Sequence, residues 1–69
     1  MKIFAERLKE LRQENELSQR QLAEKLGLSH SVVAHWENEI RVPSAEAIIL
    51  LAKFFDVSAD YLLGLKNEY

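Results

Sequence analysis

Between Gln19 and Trp36 the chain reads QRQLAEKLGLSHSVVAHW, and this stretch limits the possible folds more than any other. Ala23 lies four positions before Gly27, and Leu22, Leu26, Leu28, Val33 and Trp36 surround the pair at helical spacings. Two short helices that meet at a sharp angle need this arrangement. A residue without bulk must sit where the axes approach, a glycine must take the bend, and apolar contacts must lock the angle. The spacing therefore predicts a helical corner, with Ala23, Gly27, Val33 and Trp36 as its structural residues.

The flanking sequence builds helices around that corner. Ile3, Phe4, Leu8 and Leu11 repeat at three- and four-residue steps, which predicts an amphipathic helix over about residues 2–15. Its outer face carries Lys2, Glu6, Arg7, Lys9, Glu10 and Gln13. Ser18, with Gln21 three residues on, reads as a capping box for a second helix that stops at Gly27. Ser29 is expected to cap a third helix running to about Asn38. Ser44 reads as the cap of a fourth, with Ala45, Ile48, Leu51, Ala52 and Phe55 facing inward. Ser58 reads as the cap of a short fifth that closes at Gly64, with Tyr61, Leu62 and Leu65 as apolar contacts. Neither β alternation nor an internal repeat is present. The expected fold class is all-α: a compact five-helix bundle forming one domain over residues 1–69, its corner made by helices 2 and 3 at about residues 18–38.

Composition narrows the possible functions. A 48% apolar content excludes disorder. The absence of cysteine removes disulfide scaffolds and thiol chemistry, and it suits a reducing interior. No apolar run approaches membrane-spanning length, and Met1–Leu11 is too charged for a secretion signal, so a cytoplasmic location and no membrane partner are expected. The net charge of −2 is unusual for a nucleic-acid partner, but residues 1–16 and 44–69 each hold four of the eleven acids. From Leu17 to Pro43, Arg20, Lys25 and Arg41 balance Glu24, Glu37 and Glu39. An enzyme is not expected, because the chain has neither a glycine-rich phosphate loop nor a nucleophile–base constellation. No cofactor is expected. No metal is expected either, since His30 and His35 stand five apart rather than at the i, i+4 spacing of a ligand pair.

Four segments in order, LSQRQLAEKLGLS, VVAHWEN, RVPS and DVSADYLLG, closely resemble the Xre-type, Cro and phage-repressor family of helix-turn-helix domains. The resemblance runs from about Phe4 to Leu65. It implies that helices 2 and 3 form the helix-turn-helix and that helix 3 enters the major groove of DNA. His30, Ser31, Ala34 and His35 match the family's base-reading positions. A histidine there donates to guanine N7 or O6, or accepts from an exocyclic amine; a serine bonds a base or a phosphate. Phosphate contacts are expected from Gln19, at the positive end of the second helix, and from Arg20, Val32, Asn38 and Arg41. At Val32 the family often carries threonine, so only apolar contact is available. At Glu39 the family usually carries glycine, and a carboxylate beside the phosphate path lowers the expected affinity. Arg12 and Glu37 resemble a family pair that bridges the first helix to the end of the third, a structural rather than a DNA-contacting role.

The function expected from these residues is a sequence-specific, double-stranded DNA-binding transcriptional regulator. A repressor is expected, bound to a palindromic operator as a homodimer that forms in solution or only on DNA. The alternative is a protein-interaction module or the antitoxin component of a toxin–antitoxin pair. Helix 4 motivates that alternative, because IILLAKFF is apolar on more than one face. Ile49, Leu50, Phe54, Tyr61, Leu62 and Leu65 are the expected dimer or partner surface.

Overall fold

The computed structural model describes residues 1–69. Five helices follow one another without a strand: α1 (Lys2–Glu14), α2 (Gln19–Leu26), α3 (Val32–Glu37), α4 (Ala45–Phe55) and α5 (Ala59–Leu63). Three of the expected caps are formed. Ser18 Oγ accepts from the Gln21 N–H at 3.0 Å while Gln21 Oε1 accepts from the Ser18 N–H at 2.8 Å. Ser44 Oγ accepts from Ala47 N–H at 3.1 Å, and Ser58 Oγ from Tyr61 N–H at 3.0 Å. Each side chain satisfies a backbone donor that its helix leaves unpaired.

The corner forms as its residues require. Gly27 takes φ 71°, which turns the chain so that the Leu28 N–H reaches the Ala23 carbonyl at 2.9 Å. Ala23 is fully buried where α2 and α3 meet. The core draws on every helix: Phe4, Leu8 and Leu11 from α1, Leu22 from α2, Val33 and Trp36 from α3, Ile48 and Leu51 from α4, and Tyr61 and Leu62 from α5. The Phe4 and Trp36 rings meet edge to face with centroids 6.2 Å apart, so the third helix packs directly on the first.

The structure departs from expectation at four places. The first is the start of α3. Ser29 offers its carbonyl to the Val32 N–H at 3.2 Å, closing a tight four-residue turn, and the i→i+4 ladder begins only at Ser31, whose carbonyl receives the His35 N–H at 3.0 Å. Ser31, not Ser29, therefore occupies the N-cap, and no side chain caps it. The adjacent β-branched residues Val32 and Val33 do not favour an earlier helical turn.

Tyr61 and Leu62 depart next. Both are buried, so neither belongs to a partner surface. A five-residue helix has one apolar face, and that face closes on α1. Ala45, expected to face inward, is exposed at the first turn of α4. Arg7 does not point freely to solvent. Its Nη1 donates to the Tyr61 carbonyl and, at 2.6 Å, to the Lys66 carbonyl, while Nη2 donates to Asn67 Oδ1 at 2.9 Å. The guanidinium also lies 4.2 Å from the centre of the Tyr61 ring.

Candidate nucleic-acid interface

A buried polar cluster fixes the corner to the rest of the molecule. Arg12 Nε and Nη2 donate to the two Glu37 oxygens at 2.7 and 2.9 Å, and Nη1 donates to the Leu17 carbonyl at 2.8 Å. The Glu37 side chain is only 3% exposed, so it relies on this fork, rather than on water, for its hydrogen bonds. The hydrogen bonds to Glu37 raise the Arg12 pKa against the opposing effect of burial, and the pair's attraction adds to the rise. Gln19, the first residue of α2, joins the cluster by donating Nε2–H to Glu37 Oε1 at 3.1 Å. One carboxylate thus ties the end of α1, the start of α2 and the end of α3 together. The remaining Gln19 N–H and its carbonyl stay available at the positive end of α2.

Along the opposite side of the corner runs an open flank. His30 and Ser31 are exposed in the turn before α3, and Ala34 and His35 are half-buried on the helix itself. Val32 is also half-buried and packs against the core, so little of its side chain is left for the sugar or phosphate contact expected of it. Arg20, Asn38 and Arg41 are exposed, and Gln19 is half-buried. Asn38 terminates α3, and the His35 carbonyl then receives the N–H groups of Ile40 at 2.8 Å and Arg41 at 3.2 Å. That turn folds Arg41 back beside the third helix. Glu39 takes φ 60° within it, a left-handed conformation that glycine would adopt without strain.

Two residues carry no signal of their role in the sequence, one in this region and one far from it. Glu24, on α2, places Oε2 3.6 Å from His30 Nε2 across the elbow, at a six-residue separation that no helical periodicity marks. Arg7 fastens the opposite end of the molecule through backbone carbonyls, which any sequence supplies. Of the expected partner surface, Ile49, Leu50, Phe54 and Leu65 are exposed. Ile49 also lines a groove of about 360 Å³ with Met1, Pro43, Ala45, Ile48 and Leu63. No group of three or more His, Cys, Asp or Glu side chains is placed to hold a metal ion, and no helix is long and apolar enough to cross a membrane.

Comparison with known proteins agrees with this architecture. The helix-turn-helix family profile matches residues 8–62. An uncharacterized HTH-type transcriptional regulator of Bacillus subtilis, YobD, is 38% identical over 66 residues, 96% of this chain; the chain spans 59% of that regulator's length. Control protein C.SmaI of Serratia marcescens is 41% identical over 69 residues, covering 96% of this chain and 82% of that protein. The P22 c2 repressor, solved in complex with a synthetic operator, superposes with a TM-score of 0.80 at 27% identity over 90% of this chain and 94% of that one. With the capping box, the glycine elbow and the Arg12–Glu37 bridge all in place, the chain belongs to the helix-turn-helix family of Xre and phage-repressor type.

Proposed function

We propose that residues 1–69 act as one DNA-binding unit of a transcriptional regulator, a repressor that places α3 in the major groove of a palindromic operator. The unit works by binding and not by catalysis. The observation that carries this reading is the flank from His30 to His35, exposed at His30 and Ser31 and half-buried at Ala34 and His35, held at a fixed angle by the Arg12–Glu37–Gln19 cluster and bordered by Arg20 and Arg41. His30, Ser31, Ala34 and His35 read base edges. Gln19, Arg20, Asn38 and Arg41 set the register on phosphates. A homodimer presents two such flanks to half-sites about 34 Å apart, one turn of the duplex. The exposed α4 residues Ile49, Leu50 and Phe54, with Leu65, supply its contact. A protein that works on DNA in this way acts in the cytoplasm.

The charge pattern sets how affinity responds to salt. Arg20 and Arg41 are the two cations among these phosphate contacts, so a dimer neutralises four phosphates and log K falls against log salt with a slope of about −3.6. Titration of labelled random duplex at several salt concentrations, followed by selection of bound duplexes from a random pool, tests the reading. His30→Ala and His35→Ala are expected to lose base preference, and Gln19→Ala to weaken all duplexes alike. A protein that retains no duplex even at low salt overturns the proposal. The apolar groove around Ile48 and Ile49 favours the second reading, a protein-interaction module or antitoxin component; that result would select the module, whereas an antitoxin would bind both duplex and a protein partner.

A further inference from the structure

A histidine on the reading flank can present either a hydrogen or a lone pair to a base, and the choice decides which base it accepts. His30 Nε2 is the outer nitrogen of its ring, the one that reaches furthest from the backbone. It lies 3.6 Å from Glu24 Oε2, and both side chains are a little over half exposed. A carboxylate oxygen has only lone pairs to offer, so a bare Nε2 facing it would set acceptor against acceptor. A hydrogen on Nε2 turns the same contact into an attraction. This holds whether the ring carries one proton or two.

We propose that Glu24 is a specificity-determining residue that makes His30 a hydrogen donor and thereby selects guanine at the position His30 reads. The inference rests on the DNA-binding function proposed above and deepens it. In the major groove guanine shows only acceptors, N7 and O6, whereas cytosine shows only its amino donor and adenine sets an amino donor beside N7. Thymine offers one acceptor, O4, next to a methyl group that crowds an imidazole edge. A donor at the tip of His30 therefore suits guanine and excludes cytosine. The contact with Glu24 is longer than a hydrogen bond, so the exposed ring can rotate its Nε2–H from the carboxylate to a base without breaking one. Glu24 also sets a negative charge beside the reading flank, so it lowers affinity for every sequence while it sharpens the preference for one base.

The experiment combines two readouts on the full chain. Nitrogen-15 NMR of the histidine side chains in the free protein at pH 8 reports which ring nitrogen of His30 carries the hydrogen. Selection of duplexes from a random pool at the same pH is run with the wild type, His30→Ala and Glu24→Gln. The expected wild-type result is an Nε2–H ring and a preference for guanine over cytosine of about tenfold at one position in each half-site. That preference vanishes in His30→Ala. In Glu24→Gln it falls to about twofold or less, because the amide can offer its NH2 to a bare Nε2 and permit an acceptor at the ring tip. The same variant binds all duplexes more tightly. Melting curves verify that Glu24→Gln, an exposed change, stays folded. A bare Nε2 in the wild type, cytosine or adenine at the His30 position, or undiminished guanine selection by Glu24→Gln each overturns the inference while duplexes are still retained. Retention of no duplex by any variant overturns the DNA-binding reading itself, and the inference with it.

Discussion

Arg7 and Arg12 project from the same helix, five residues apart, and fasten opposite ends of the molecule by different means. Arg12 is buried and meets a carboxylate, so two opposite charges and three well-formed hydrogen bonds hold the recognition corner. Arg7 is half-buried and meets no carboxylate. It gathers the Tyr61 and Lys66 carbonyls and the Asn67 side chain, and lies against the Tyr61 ring. The first arrangement is rigid because its partner cannot be left alone in the core. The second is a clasp whose partners can all turn to water when it opens. The molecule thus places its one buried ion pair where the angle between two helices is set, and a looser fastening where the chain folds back against α1.

The largest expected effect comes from breaking the buried pair. Arg12→Ala leaves Glu37 almost fully enclosed without its fork and the Leu17 carbonyl without its donor, which costs about 3 kcal/mol. Urea unfolding checks the value. The double variant Arg12→Ala/Glu37→Ala is expected to recover part of the loss, because it no longer strands a buried charge. A single variant that loses less than an exposed ion pair, about 1 kcal/mol, would erase the distinction between the two arginines.

Arg7→Ala should sit below that. It gives up partly exposed hydrogen bonds to carbonyls and one cation–π contact, together about 1–2 kcal/mol. Its effect on DNA binding separates the two arginines further. Measured well below the melting temperature, affinity for a selected duplex should be unchanged in Arg7→Ala and reduced in Arg12→Ala, whose corner is free to swing. Equal losses of affinity would mean that the tail end of the molecule, not only the corner, positions the third helix.

The same pair of residues explains what the sequence discloses. Arg12 is legible because its partner is a charged residue at the end of the next packed helix, and both identities belong to the family's pattern. Arg7 is not, because its partners are mostly main-chain carbonyls, and a carbonyl is present at every position. The corner is readable for a similar reason: a small residue at Ala23 fits the close approach without strain, and glycine at Gly27 takes the left-handed turn at the least cost. By contrast, the shift of the helix start from Ser29 to Ser31 turns on the competition between a tight turn and a regular ladder; Val32 and Val33 disfavour the earlier start, but two serines two residues apart offer the same cap signal. Tyr61 and Leu62 were misplaced on a partner surface because an apolar residue at a helical spacing reads the same whether α1 or another molecule covers it. Of the candidate site, the exposure of His30, Ser31, Arg20 and Arg41 follows from the corner, whereas the packing of Val32 and the Glu24–His30 contact exist only once the elbow has folded.

The smallest effect concerns the outermost part of the clasp. Tyr69 stacks edge-on against Tyr61 with centroids 4.8 Å apart, its carbonyl accepts from the Ser58 N–H, and its hydroxyl lies 3.0 and 3.1 Å from the two Glu14 oxygens. The hydroxyl donates to the carboxylate, so the neutral phenol is the favoured form and its pKa rises above the ordinary 10.0; desolvation and the Glu14 charge push the same way. A raised value means that this contact contributes fully below the unfolded value, about pH 10, and is lost as pH climbs through the folded one. Melting of the wild type and Tyr69→Phe should therefore differ slightly and by a constant amount from pH 7 to about pH 9, then converge above the phenol's titration. A difference that persists in strong alkali would show that the hydroxyl's contribution does not depend on donating to Glu14. In that case the clasp would owe nothing to any carboxylate, and the contrast with Arg12 would be complete.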